Sequence, residues 1–259
     1  MRLDVLTLFP DLFTPFLNES IVGRAVRRGL VDIRLTNIRS FARGPHHTTD
    51  DRPYGGGDGM VMKPGPIFRA LQSIERIGEK RRVILLTPQG IRFEQSVAWE
   101  LSRMDQLVLI CGRYEGVDER IRKGYVDLEI SIGDYVLTGG ELPAMIVADA
   151  VTRLIPGVLG GENSNLEDSF EEGLLEYPHY TRPRIFQNEE VPEVLLSGDH
   201  EKIRKWRRAE SIRRTFQKRP DLLEKKELNR EDKELLAEIR KELTEAGVEK
   251  NGKTTPLAK

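Results

Sequence analysis

Cysteine is almost missing from this chain: Cys111 is the only one in 259 residues, which excludes an internal disulfide. There is no long apolar run and no basic-plus-apolar leader, so the expectation is a cytoplasmic protein with no membrane partner. Two nucleotide fingerprints are also missing. The GxGxxG pattern fails because Gly55, Gly57 and Met60 lack its last glycine and follow no strand, and GxxxxGK[ST] occurs nowhere, which disfavours an enzyme of dinucleotides or ATP. Net charge is nearly absent at −1, which alone argues against a nucleic-acid binder. The charge is unevenly laid out, however. His200 to Arg219 holds nine Lys or Arg and two Glu, whereas Glu162 to Glu176 holds six acids and no base.

What is present is an ordinary globular composition, 38% hydrophobic and 32% charged, in a length that suits one large or two modest domains. Apolar runs at Leu3 to Phe9, Val31 to Ile38, Val83 to Thr87, Leu107 to Ile110 and Leu128 to Ile132 read as strands. Helical stretches at Ile67 to Ile77 and Phe93 to Met104 alternate with them, and this alternation predicts an α/β fold with a parallel sheet covered on both faces. Glu141 to Ile155 reads as a helix with Pro143 in its first turn and Pro156-Gly157 after its end. Beyond it, Gly157 to Glu176 lacks periodicity and reads as a linker. Asp199 to Gln217 and Arg230 to Ala246 read as two further helices, and the residues from about Gly247 as a disordered tail. No internal repeat occurs.

Two glycine-punctuated loops, Cys111 to Gly116 and Ser131 to Gly140, each follow a strand and each carry a tyrosine. Glycine admits a flat ligand close to the backbone, the ring offers a stacking face, and Glu115 supplies a negative charge, so the pair reads as a pocket for a cationic nucleoside. Other features have blander readings. His46-His47 with Asp50 and Asp51 are more often solvated than metal-bound. Gly55 to Gly59 reads equally as a plain turn. Arg153 lies four residues after Asp149, the spacing of a surface ion pair, and Asp168 lies in an acidic loop. The helix Asp199 to Gln217 carries an apolar stripe of Ile203, Trp206, Ala209, Ile212 and Phe216, and its dense basic remainder, with Arg207, Arg208, Arg213 and Arg214, suits a membrane surface, an acidic protein or a phosphate backbone, of which RNA is the most economical beside a nucleoside pocket. Three functions stay open on the residues alone: a methyltransferase acting on RNA, a doubly wound α/β enzyme of small molecules, and an RNA-binding module without catalysis.

Several motifs in order, from about residue 1 to 225, narrow the choice. They are Leu8-Phe9-Pro10, Arg52 to Met60 (RPYGGGDGM), Gly112 to Arg120 (GRYEGVDER), Ser131 to Met145 (SIGDYVLTGGELPAM), Glu167 to Phe170 (EDSF) and Pro178 to Pro183 (PHYTRP). Together they resemble the bacterial tRNA (guanine-N1)-methyltransferases that act at position 37, members of the SPOUT superfamily. The resemblance implies a knotted α/β domain over residues 1–160 that binds S-adenosylmethionine. Its trefoil knot would run from about Leu85 to Gly140, a threading that general topology rules do not lead one to expect. It further implies a flexible acidic linker at 161–176, a small all-helical tRNA-binding domain at 177–246 and a disordered tail at 247–259.

The resemblance also implies the site. The cofactor would be held by Leu86, Gly112, Tyr114, Glu115, Gly116, Ser131, Ile132, Gly133, Asp134, Tyr135, Val136, Leu137, Gly139, Gly140 and Pro143. The tRNA would meet Asp50, Gly55, Gly59, Arg207, Arg208, Arg213 and Arg214, with the Gly55 to Gly59 loop as a wall over the active site. Asp168 would be the general base toward guanine N1, and Arg153 would stabilise charge on O6. The family works as a homodimer with the site at the subunit interface and depends on magnesium, for which Glu115 and Asp168 are the carboxylates at hand.

Overall fold

A computed structural model of the chain describes residues 1–160 and 167–245. The chain divides into two compact units, 1–162 and 163–259. In the first, the elements run β1 (Arg2–Thr7), α1 (Thr14–Asn18), α2 (Ser20–Arg27), β2 (Asp32–Asn37), β3 (Asp50–Asp51), β4 (Val61–Met62), α3 (Pro64–Ser73), β5 (Arg81–Arg92), α4 (Gln95–Ser102), β6 (Gln106–Cys111), α5 (Glu119–Tyr125), β7 (Leu128–Ser131) and α6 (Glu141–Thr152).

Five strands form one sheet in the order β2-β1-β6-β5-β7, every neighbouring pair parallel. The central strands β1, β6 and β5 are buried on both faces, and their period-2 alternation sorts side chains between two cores. Leu3, Val5, Ile84, Leu86, Leu107, Leu109, Cys111 and Ile130 face Ala98 and Leu101 of α4 and Ala144, Val147 and Val151 of α6. Leu6, Val83, Leu85, Val108 and Ile110 face Ile67, Ala70 and Leu71 of α3 and Ile121 of α5. All five expected strands and the parallel sheet are therefore present, although β5 runs five residues past its expected end.

That extension shapes the upper edge of the sheet. Leu86 and Ile91 of β5 both pair with Ile130 of β7, so residues 87–90 leave the ladder as an excursion at the carboxyl end of the sheet. Although β5, β6 and β7 are consecutive, β5 lies between the other two, so the chain must pass over β5 on its way from β6 to β7.

The second unit contains β8 (Ile185–Phe186), β9 (Glu189–Glu190), α7 (His200–Lys218), α8 (Pro220–Lys225) and α9 (Arg230–Glu245). It is not all-helical, because β8 and β9 pair antiparallel across Gln187 and Asn188. Both turn residues have positive φ, 48° and 68°, the geometry of a type I′ hairpin turn, which asparagine tolerates better than most residues. The expected linker also differs. Residues 161–166 and the expected tail at 247–259 lie outside the described residues, but 167–176 fold into this unit. Leu174 is buried with Ile212, Leu236 and Ile239, and the Leu175 amide donates to Thr215 Oγ1 at 2.9 Å while Ser211 Oγ donates to the Leu175 carbonyl at 2.6 Å.

Charge is largely neutralised inside this unit. Arg208 of α7 reaches Asp232 of α9 through two bonds of 2.7 Å and Glu172 of the 167–176 loop at 2.7 Å. Asp232 is buried, and its bonds from Arg208 hold its carboxyl below the usual carboxylate range against the opposing effect of burial. Asp232→Asn should cost about 2–3 kcal/mol at pH 7, below the value for a fully buried pair because the guanidinium keeps some solvent contact. The contribution of a depressed carboxylate is present above its unfolded pKa of about 3.9 and is lost as pH falls through the folded value. Urea midpoints of variant and wild type should therefore differ at pH 7 and converge at the acid end of a pH series; equal midpoints at pH 7 would show that the pair is not structural.

Candidate functional site

A cavity of ≈ 280 Å³ opens at the carboxyl ends of β5, β6 and β7, where α/β sheets commonly receive ligands. Three segments make its wall: the 87–90 excursion, the loop after β6 and the loop after β7. Of the fifteen residues expected around a cofactor, Leu86, Gly112, Tyr114, Glu115, Gly116, Ser131, Ile132, Gly133, Tyr135, Val136, Leu137, Gly139, Gly140 and Pro143 line it. Asp134 does not. The Tyr135 amide donates to the Gly133 carbonyl at 3.0 Å, and the Tyr135 hydroxyl donates back to the Ile132 carbonyl at 3.3 Å, so Asp134 is the exposed apex of a tight turn.

The two loops are stitched together where they meet. The Gly140 amide donates to the Gly112 carbonyl at 2.9 Å, and Arg113 and Gly139 form an antiparallel bridge. A Cβ at position 140 would lie 2.7 Å from Cys111 Cα, so only glycine allows the loop after β7 to sit on the end of β6. Cys111 itself is fully buried, and burial, with the Glu141 charge nearby, pushes its thiol well above the ordinary range; it is packing rather than a nucleophile.

Two residues that sequence reasoning missed hold this junction. Arg113 Nε donates to Glu141 Oε2 at 2.9 Å, and Thr7 Oγ1 donates to Glu141 Oε1 at 2.8 Å, with Glu141 1% exposed. Arg113 also donates to the Thr138 carbonyl at 3.2 Å and lies over the Phe9 ring at 4.4 Å. One guanidinium thus joins the ends of β1 and β6, the loop after β7 and the first residue of α6. The buried carboxylate and its partner lie 28 positions apart in sequence, with α5 and β7 between them and no spacing signal to connect them.

The expected substrate wall lies beside the cavity. β3 and β4 pair antiparallel, closing the loop that contains Gly55 and Gly59, and Asp50 is half-buried in β3. Gly59 and Gly55 do not line the cavity. Gly59, at φ +88°, abuts Glu115, which does; a Cβ there would come within 2.5 Å of the Glu115 carboxylate. The Glu115 amide donates to the Met60 carbonyl at 2.9 Å, and the Met62 amide to the Gly116 carbonyl at 2.9 Å, so this loop is fastened to the cavity rim. Gly55 has open space around it, and Tyr54 is fully exposed. Arg153 caps the C-terminus of α6 in helical geometry and is half-buried.

Asp168 belongs to the second unit. It lines a cavity of ≈ 630 Å³ there with Glu167, Tyr177, Arg204, Arg207 and Arg208 among others. The basic helix is less available than its sequence suggests. Arg208 is paired as described, and Arg213 is paired with Glu210 at 3.1 Å and Glu242 at 2.8 Å. Arg207 lies 4.7 Å over the Tyr177 ring and 3.7 Å from Glu167. The acids that capture these arginines come mostly from other elements, 24 to 40 residues away, which is why the expectation of an open cationic face fails for Arg208 and Arg213. Among the described residues, Arg214 makes no ion pair. No group of three or more His, Cys, Asp or Glu that could hold a metal ion occurs among the described residues, so Glu115, His46, His47, Asp50 and Asp51 do not form such a cluster. No helix among them is long and apolar enough to cross a membrane.

Comparison with known proteins follows the motifs. The family model described as tRNA (Guanine-1)-methyltransferase TrmD matches residues 1–225. The chain belongs to this family. Proteins named tRNA (guanine-N(1)-)-methyltransferase are similar along nearly their whole length. That of Dictyoglomus turgidum is 57% identical over 245 residues, covering 95% of this chain and 99% of that protein. Those of Moorella thermoacetica and Brevibacillus brevis are each 58% identical, over 92% and 93% of this chain and 96% and 99% of their own lengths.

Replacing Glu141 by Gln keeps an acceptor for Thr7 but leaves the Arg113 guanidinium without its counter-charge, at a cost of about 3 kcal/mol. In a double-mutant cycle with Arg113→Met, the second change should recover part of that loss, because no buried charge is then left unpaired. Urea midpoints of the four proteins measure this. Additive single losses would show that the two residues act independently.

Proposed function

We propose that this chain transfers a methyl group from S-adenosylmethionine to N1 of guanosine 37 in tRNA. The observation that carries the reading is the convergence of two glycine loops around one cavity at the carboxyl edge of the sheet, in a chain of this family. The lining fits a compact cationic nucleoside: apolar contact from Leu86, Leu137 and Pro143, ring faces from Tyr114 and Tyr135, glycine backbone that permits close approach, and the Glu115 carboxylate. The 87–90 excursion of β5 and the bonding of the loop after β7 onto the loop after β6 support a trefoil-knotted arrangement over about 85–140.

S-adenosylmethionine, when bound, supplies an already activated sulfonium methyl. What remains for the chain is to remove the N1 proton of guanine and hold N1 in line with the methyl group. Asp168 takes that proton. An ordinary carboxylate, with a pKa of about 3.9, is a weak base for this task, so the charge left on the guanine must be stabilised as the proton departs. Arg153 does this at O6. The substrate lies with the cavity of one subunit and the Asp168 of the other, in a homodimer whose helical unit holds the tRNA. Among the described residues no group of three or more His, Cys, Asp or Glu could hold magnesium.

Incubation with unmodified tRNA and labelled S-adenosylmethionine should place label at N1 of the guanine 3′ to the anticodon. Label elsewhere would overturn the reading. Asp168→Asn should lower the single-turnover rate by roughly 100- to 10,000-fold, the usual range for loss of a general base, with cofactor affinity kept; a near wild-type rate would remove Asp168 from the mechanism.

The charge pairing of α7 refines where phosphate contacts fall. Arg214 and Lys218 carry no intramolecular ion pair among the described residues, whereas Arg208 and Arg213 do. Changing Arg214 and Lys218 together to Gln should reduce the salt-dependence slope of tRNA binding by close to two. Arg208→Gln should change the slope little and stability more. Binding isotherms at several salt concentrations separate the two, and an unchanged slope for the first variant would show that this face does not meet phosphate.

A further inference from the structure

Phe170, two residues after Asp168, combines a strained backbone with an exposed ring. Its φ is +76°, in the left-handed region where a side chain as bulky as phenylalanine is strained, and the residue is 44% exposed. The backbone bonds explain the conformation. The Phe170 amide donates to the Leu174 carbonyl at 2.7 Å and the Gly173 amide to the Phe170 carbonyl at 3.1 Å, closing a tight turn in which Gly173 also has positive φ, +74°. They do not explain the residue type, because glycine would serve position 170 without strain as it serves 173. Packing does not explain it either. The core of this unit is built on Leu174, Ile212, Leu236 and Ile239, with Phe216 among the side chains laid against them, and Phe170 is not one of these. A strained position that keeps a large, exposed side chain is the pattern of a side chain retained for use.

The surroundings of the ring say what use. The Arg219 guanidinium, which also pairs with Asp221 at 2.7 Å, lies 5.8 Å from the ring centroid, so Phe170 stands at the C-terminal end of α7. Lys218 immediately precedes Arg219, and Arg214 lies one turn before Lys218 on the same face of the helix. On the other side of the turn, Lys226 donates to the Glu172 carbonyl. An unpaired nucleic-acid strand is met by this combination: a flat ring on which a base stacks, and cations that take the phosphates beside it.

We infer that Phe170 is a stacking platform for one unpaired base of the RNA substrate, next to the phosphates met by Arg214 and Lys218. The inference rests on the reading of tRNA as substrate and names a contact within it. A ring with two torsions, carried on a hydrogen-bonded turn, has little freedom to lose when a base settles on it. Stacking is tolerant of base identity, so the contact adds affinity and fixes the path of the strand without reading sequence.

The test is equilibrium binding of unmodified tRNA by the whole protein at several salt concentrations. Phe170→Gly removes the ring and relieves the strain. It should weaken binding roughly 10- to 100-fold, the range for loss of one base–aromatic stack, and leave the salt-dependence slope unchanged because no charge is lost. Its urea midpoint should equal or exceed that of wild type, since glycine accepts the backbone conformation freely. Phe170→Trp should bind at least as tightly as wild type. A set of tRNAs, each lacking one base of the anticodon loop, locates the partner: at one position the missing base and Phe170→Gly should together cost no more than either alone.

Unchanged tRNA affinity in Phe170→Gly overturns the inference. So does a lower urea midpoint accompanying the loss, which makes the ring a packing element, and so do additive losses at every abasic position. A changed association state with tRNA affinity kept also overturns it and assigns the ring to a protein contact. Methyl transfer by the wild type is the separate control: a protein that neither binds nor methylates tRNA overturns the proposed function and the inference with it, whereas a methylated tRNA bound equally by wild type and Phe170→Gly overturns only the stacking role.

Discussion

The ion pair between Arg113 and Glu141 is the contact on which the cavity depends. Glycine loops have few side chains with which to hold themselves, and the loops after β6 and β7 contribute five glycines between them to the wall. Something must fix their relative position, and the buried carboxylate at the start of α6 does so by drawing in Arg113 from one loop and, through it, the Thr138 carbonyl from the other. A carboxylate taken out of water is stable only when paired and hydrogen-bonded. Glu141 meets both conditions, with Arg113 on one oxygen and Thr7 on the other, and its place in the first turn of a helix adds the favourable end of the helix dipole. Because an unpaired Glu141 would be costly, alternative placements of either loop are penalised. The rigidity of a glycine-lined pocket here is electrostatic in origin, with the close packing of Gly140 on Cys111 setting the distance.

The second unit uses charge differently. Its acidic loop and its basic helix, which nearly cancel in the sequence, also cancel in space. Arg208 and Arg213 are drawn into pairs with acids of α7, α9 and the 167–176 loop, so the field presented to an anionic partner comes from fewer cations than the sequence counts. The same pairing orders the acidic loop. A loop of glycine, serine and acids has little tendency to order itself, yet from Glu167 to Glu176 it is anchored by Leu174 in the core, by Arg208 at Glu172 and by Tyr177 at Glu167. Acids that look like solvated surface in the sequence are the handles by which the helices grip the segment bearing Asp168.

Much of the first unit was legible beforehand. Strands β1, β2, β5, β6 and β7 fall on the expected segments, with β5 longer than expected, and their alternation with helices leads to a parallel sheet because a parallel crossover needs an intervening segment of that size. The glycine loops were legible because glycine and tyrosine after a strand have few other uses. Helix α2 was not. Gly23 at its centre weakens the pattern, and it is there because a Cβ would strike the Asn18 backbone at 2.5 Å where α1 turns into α2. Nor was the β8–β9 hairpin, whose strands are two residues each and whose turn, Gln187-Asn188, lacks the glycine that usually marks it.

The amino-acid order alone determined the five strands of the large sheet and the longer helices, and which residue types follow β6 and β7, since those depend on periodicity and on neighbours a few positions away. The tertiary structure alone decided which charges neutralise one another, that Asp134 turns out of the cavity its neighbours line, and that a buried Glu141 meets a partly exposed Arg113. The reason is that electrostatic and hydrogen-bond energies depend on distance through space and on local dielectric. Thr7 and Glu141 are 134 residues apart in the chain and 2.8 Å apart in the fold, and no local rule connects the one number to the other.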